Sequence, residues 1–171
     1  MSHTAEIIAV GTELLLGNIV NTNARDISQA LSAVGVNVFW HTVVGDNPER
    51  LRQALDIARR RADIIITTGG LGPTYDDLTK QTICAAFDKP LVLHPDILDT
   101  IRTFFENNVH MVMPENNVQQ AELPEGVFFA GILLGGFAGG FHLVHADCFA
   151  EGRIRFFQTS GEVQSASSGA P

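Results

Sequence analysis

Apolar positions along this chain fall into short unbroken runs that alternate with stripes of helical spacing. Ile7–Val10 is the first run, closed by Gly11, and reads as a buried strand. Between Asn21 and Val34, one face carries Ala24, Ile27, Leu31 and Val34, which predicts a helix; Gly35 can take the left-handed stop. Val36–Val44 is rich in β-branched and aromatic residues and predicts a second strand. Asn47-Pro48 sets a capping side chain before a proline at the first helical position. Leu51, Ala54, Leu55, Ala58 and Ala62 then make one stripe, and Arg59, Arg60 and Arg61 read as a solvated helix end. Ile64–Thr68 is a third strand, stopped by Gly69-Gly70, and a loop to Asp77 leads into a helix that ends near Phe87. Leu91–Leu93 is a short extended piece, and Pro95 opens a helix carrying Ile97, Leu98, Ile101, Phe104 and Phe105. Strands that alternate with helices over residues 5–126 predict a doubly wound, mostly parallel sheet covered on both faces.

The pattern changes after Gly126. From Val127 to Phe141 the residues are almost only Gly, Ala, Phe, Leu, Ile and Val, and from Gln164 to Pro171 they are small and polar. Neither stretch shows strand alternation or a capped helix. The expected division is therefore an α/β domain over 1–126 and an atypical segment over 127–171 that packs poorly, because glycine raises the entropy cost of ordering and adds no side chain to bury.

Composition narrows the function classes. The chain has 171 residues, 45% of them hydrophobic and 18% charged, which suits one globular domain with a real core. Its net charge of −8 argues against nucleic acid or an acidic membrane surface as a partner. A phosphate ligand would then need a local positive field. Cys84 and Cys148 form no paired motif, which predicts a reducing cytoplasm, and the N-terminus does not read as a signal peptide. The apolar stretch Gly131–Val144 is too short to span a bilayer.

Candidate chemistry concentrates after the strands. Gly69-Gly70-Leu71-Gly72-Pro73-Thr74-Tyr75-Asp76-Asp77-Leu78-Thr79 leaves a strand and opens a helix, where open α/β sheets bind ligands. Such a loop allows close backbone approach, and its N–H groups with the helix N-terminus behind them favour an anion. It has neither the Lys of a Walker loop nor the spacing of a dinucleotide fingerprint. The bland alternative is a tight turn with Asp77 as a helix cap. Gly11-Thr12-Glu13 follows the first strand and Gly45-Asp46-Asn47 the second. If the three strand ends share one sheet edge, Glu13, Asp46, Asp76 and Asp77 form an oxygen-rich set suited to a hard cation of the Mg, Mn or Co class beside phosphate oxygens. For Asp46 and Asn47 taken singly, turn and cap roles are the commoner reading. His142, His145 and Cys148 could bind zinc on a helix, but three loosely spaced ligands fall short of the usual pattern. Cys84 lies on an apolar helix face and reads as core.

Gly11-Thr12-Glu13, Asn21-Thr22-Asn23, Val44-Gly45-Asp46-Asn47 and Thr68 through Thr79 are similar in order and spacing to the signatures of the molybdopterin-binding (MoCF-biosynthesis) fold. Leu71-Gly72-Pro73-Thr74, Asp76-Asp77-Leu78-Thr79, Glu115-Asn116-Asn117, Gln120-Ala121 and Leu123-Pro124-Glu125-Gly126 resemble the N-terminal domain of the CinA (competence/damage-inducible) family more specifically. The resemblance covers about residues 5–126. It implies a three-layer α/β/α sandwich, a homo-oligomer, and a small-molecule ligand that is a nucleotide or pterin phosphate. On this reading Gly11, Thr12, Asn23, Gly69, Gly70, Leu71, Gly72 and Thr79 hold phosphate; Glu13, Asp46, Asp76 and Asp77 hold a divalent metal; Asp46 and Asp77 are the catalytic carboxylates. The activity expected is metal-dependent cleavage of a nucleotide pyrophosphate such as ADP-ribose. The alternatives are pterin-phosphate binding or adenylation in molybdenum-cofactor assembly, and an inactive remnant. The family's later Asn-x-x-Gly-x-Ala-Pro-Gly and Leu-Pro-Gly-x-Pro-x-Glu stretches are missing, as is its amidohydrolase-type C-terminal domain; a truncated or frame-shifted product is the expectation that follows.

Overall fold

The computed structural model describes residues 3–70 and 78–125, together with the backbone of His145–Ala146. The first strand, β1 (Thr4–Val10), is buried from Ala5 onward and lies at the centre of the sheet. It pairs in parallel with β2 (Asn37–Val44) on one side and β3 (Ile64–Thr68) on the other. A two-residue strand, β6 (His145–Ala146), runs antiparallel beside β3, giving the order β2-β1-β3-β6. The parallel core matches the sequence expectation, and β3 is interior to the sheet. β1 and β3 read as continuous apolar runs because both of their faces are covered.

Helices cover the two faces. On one side α2 (Thr22–Ala33) packs Ala24, Ile27 and Leu31 against Ala5, Ile7, Ile64 and Ile66. On the other, α3 (Pro48–Ala58) and α4 (Thr79–Phe87) pack Leu51, Leu55, Ala58 and Ile83 against Ile8, Val10, Val44 and Ile65. The result is the three-layer α/β/α sandwich. Local signals set the boundaries: the Asn21 side chain accepts from the Ala24 N–H, the Asn47 side chain accepts from the Arg50 N–H with Pro48 next in line, and Gly35 is left-handed at φ 78°. Cys84 is buried, as its apolar face predicts.

Three features depart from the sequence reading. A short helix, α1 (Thr12–Leu15), stands where the sequence reading assigned no element. Residues 91–124 do not extend the main sheet: β4 (Leu91–Leu93) pairs antiparallel with β5 (Glu122–Pro124) in a separate ribbon under α5 (Pro95–Phe104). This lobe has its own core of Ile97, Leu98, Ile101, Ala121 and Leu123, and the buried Lys80 of α4 fastens it to the main body by donating to the Gln119 carbonyl. His145 lies in a two-residue strand rather than on a helix, and the zinc reading with His142 and Cys148 lies outside the described residues. The expectations for the rest of 127–171 lie outside the described residues.

Arg61 corrects the solvated-end reading. Its guanidinium donates to both oxygens of Glu6 at 2.8 and 2.7 Å and lies 4.8 Å from the centre of the Trp40 ring. Glu6 is fully buried and also accepts from the Thr42 hydroxyl at 2.6 Å. This hydrogen-bonded partner raises the Arg61 guanidinium above its usual range.

Candidate functional site

In the order β2-β1-β3 the chain leaves β1 for one neighbour and returns to the other side for the next, which puts the topological switch point, where open α/β sheets form their ligand crevice, at the C-terminal ends of β1 and β3. Gly11, Gly45-Asp46 and Gly69-Gly70 follow the three parallel strands at this one end. The sheet itself thus brings together the three polar segments that the sequence set far apart.

Between β1 and β2 the closure is tight. The Thr12 N–H and hydroxyl both donate to Asp46 Oδ2, at 2.9 and 2.8 Å, and the Asp46 N–H donates back to Thr12 Oγ1 at 3.2 Å. The Gly11 N–H reaches the Val44 carbonyl at 2.9 Å. Asp46 and Thr12 are both exposed, so the clamp faces solvent. Glu13 folds back over Gly11: a Cβ on that glycine would meet Glu13 Oε1 at 2.5 Å. At Gly45 a Cβ would come within 4 Å of Thr12 Oγ1, Leu15 Cδ1 and Arg50 Nη1 together.

Between β1 and β3 the backbone itself makes the approach. Gly69 is left-handed at φ 90°, and a Cβ there would lie 1.9 Å from the Val10 carbonyl oxygen. Gly70, at φ 61°, faces Thr79 Oγ1, which a Cβ would meet at 2.2 Å. The buried Thr79 ties the two glycines to α4: its hydroxyl donates to the Gly69 carbonyl at 3.0 Å and its N–H to the Gly70 carbonyl at 3.3 Å. Asn23, from the first turn of α2, donates to the Thr68 hydroxyl at 3.0 Å and brings that helix to the same edge. Only glycine allows both the φ and the contact at 69 and 70.

The described residues therefore gather Gly11, Thr12, Glu13, Asn23, Asp46, Gly69, Gly70 and Thr79 at one end of the sheet. Leu71, Gly72, Asp76 and Asp77 lie outside the described residues, and with them one catalytic candidate and two metal candidates. Among the described residues no three His, Cys, Asp or Glu side chains stand close enough to share a metal ion. Asp46 and Glu13 are hard oxygen donors of the kind a divalent ion takes, so the donor set fits in chemistry. α4 is capped at Leu78 without a side-chain hydrogen bond. Sequence reasoning missed Arg50 and the Thr12–Asp46 clamp; the clamp joins residues 34 apart, so only pairing of β1 with β2 reveals it.

Residues 6–153 match the family described as a probable molybdopterin binding domain. The chain belongs to that family. A competence-damage inducible protein of Acetivibrio thermocellus is 57% identical over 122 residues, which are 71% of this chain and 29% of that relative. The chain thus spans under a third of the length of such curated relatives. A crystal structure of the protein CinA, of unknown function, from Thermoplasma acidophilum superposes with a TM-score of 0.69 at 26% identity, covering 91% of this chain and 87% of that one. The tungsten cofactor synthesizing protein MoaB of Pyrococcus furiosus shares the fold at a TM-score of 0.55 and 19% identity, over 91% of this chain and 79% of its own. The CinA-type resemblance read from the motifs stands, and the molybdopterin-binding family match runs beyond residue 126.

Proposed function

We propose that the C-terminal end of the sheet binds a nucleotide diphosphate and that the chain cleaves it, as a divalent-metal-dependent pyrophosphatase of ADP-ribose-like substrates. The observation that carries this is the meeting of three strand exits, with the Thr12–Asp46 clamp on one side and the left-handed Gly69-Gly70 pair on the other. Left-handed glycines at a strand exit permit a diphosphate to approach the backbone closely. Thr12 holds Asp46 by one oxygen and leaves the carboxylate oriented towards solvent, where it can position a water for in-line attack at phosphorus. That attack breaks the P–O–P bridge and gives AMP and ribose 5-phosphate. A divalent ion held by Glu13, Asp46, Asp76 and Asp77 would supply charge neutralisation and a more acidic water.

The test is turnover of ADP-ribose by purified protein with Mg²⁺, Mn²⁺ or Co²⁺ and with EDTA. Metal-dependent release of AMP is expected, and Asp77→Ala should abolish it while the protein stays folded. Binding without turnover under every metal would overturn the hydrolytic reading. It would favour the second one, pterin-phosphate binding, which the family description supports. The reading includes a homo-oligomer in the cytoplasm. Leu16 and Val20, exposed at 69% and 82% beside the site, are consistent with self-association, which light scattering measures. No helix among the described residues is long and apolar enough to cross a membrane.

A further inference from the structure

Arg25, Arg52, Arg59, Arg61 and Arg102 each stand within ion-pair distance of a carboxylate. Arg50 and Arg60 do not, among the described residues. Arg60 follows the last turn of α3, at the opposite end of the sheet from the crevice. Arg50 lies in the first turn of α3, and its Nη1 is 3.8 Å from the point where a Cβ on Gly45 would sit; Thr12 Oγ1 is 3.3 Å from the same point. A guanidinium with no carboxylate partner among the described residues thus stands at the candidate site of a chain whose net charge is −8.

The surrounding donors make that cation more telling. The amides of Gly11, Thr12, Asp46 and Asn47 already bond within the fold, to Val44, Asp46, Thr12 and Gly45. Asp46 brings negative charge to this side and uses Oδ2 on Thr12 rather than on Arg50. The Arg50 backbone is fixed, since its N–H donates to the Asn47 side chain at 2.9 Å, while its side chain is exposed. Gly45 keeps the floor beneath it open. A guanidinium in such a place offers paired N–H donors that match phosphate oxygens.

We propose that Arg50 is a phosphate-binding residue of this site, which grips the ligand's phosphate on the β2 side of the crevice and offsets the charge of Asp46. This rests on the reading of the strand exits as a phosphate site. The experiment is calorimetric titration of the full chain with inorganic pyrophosphate, with and without Mg²⁺, at several KCl concentrations, for wild type, Arg50→Gln and Arg50→Lys. Because Arg50 is exposed and has no side-chain partner among the described residues, Tm should be unchanged in both variants. Arg50→Gln should weaken binding by about 10- to 100-fold, the usual range for a charge-assisted hydrogen bond. It should also flatten the dependence on salt, which a purely structural role would leave alone. Arg50→Lys should recover part of the affinity. Wild-type affinity and salt dependence retained in Arg50→Gln would overturn the assignment of Arg50 while leaving the site in place. A wild type with no affinity for pyrophosphate in any condition would overturn the site and the assignment together.

Discussion

The two ends of the central sheet use the same side chains to opposite effect. At the end where β1 and β3 begin, Thr4 donates its N–H and hydroxyl to Asp63 Oδ2, each at 3.0 Å, and the Asp63 N–H returns to the Thr4 hydroxyl at 3.3 Å. At the end where β1 and β2 finish, Thr12 and Asp46 repeat that exchange almost bond for bond. The neighbours differ. Beside Thr4 and Asp63 the buried Glu6 is matched by Arg61 and Thr42, and Arg61 lies against Trp40. Beside Thr12 and Asp46 there are two glycines, Gly11 and Gly45, an exposed leucine, and Arg50, which has no ion-pair partner among the described residues. In an acidic chain, a charge matched inside the fold marks structure. At the strand exits, a charge with no internal partner among the described residues is free to meet a ligand.

The contrast can be broken by substitution. The largest effect is expected at Gly69, where alanine would meet the Val10 carbonyl oxygen at 1.9 Å with φ at 90°. Gly69→Ala should cost more than about 3 kcal/mol in chemical denaturation, since backbone must shift against backbone. Next comes the closed end. Arg61→Gln leaves the buried Glu6 carboxylate without its cation, whereas Glu6→Gln leaves an arginine that is 35% exposed and can turn to water. Arg61→Gln should therefore lower Tm by several degrees and by more than Glu6→Gln does. The Arg61 guanidinium is raised above its usual range by the Glu6 hydrogen bond. Its contribution is thus complete below the unfolded value and lost only as pH rises through the folded one. The Tm gap should hold between about pH 7 and 10. Smallest is the paired substitution of the two clamps. Thr4→Val, half-buried, should cost about 1 kcal/mol, and the exposed Thr12→Val about half that, while Thr12→Val alone weakens pyrophosphate binding. Equal effects on binding from the two variants would erase the distinction between the ends.

Much of this was legible in the sequence where the signal is local. Ile64–Thr68 could be read as a strand because it is apolar and stopped by glycine, and α3 because Asn47-Pro48 marks its start. The strand-exit location of the candidate site followed from the alternation of strands and helices. Most short or long-range features were not legible. α1 has four residues, too few for a helical stripe; β4 was legible as a short extended piece, but β5 has three residues, too few for alternation, and their pairing joins segments far apart in the chain. Arg61 reaches Glu6 across 55 residues, so its run of arginines reads as a helix end until the sheet is assembled. Arg50 reads as any other cation in an early helical turn, and the proposal for it depends on its having no carboxylate partner among the described residues.

The central claim is that phosphate binds at the strand exits and not at the closed end. Backbone amide shifts of the isotope-labelled chain during a pyrophosphate titration test it most directly, with emission of the single tryptophan, Trp40, as an internal control. The expected result is progressive movement of Gly11, Thr12, Asp46, Gly69 and Gly70, with Glu6, Trp40 and Arg61 still and the emission constant. Shifts centred on Glu6 and Arg61, or a saturating titration that leaves the strand-exit amides unmoved, would contradict it.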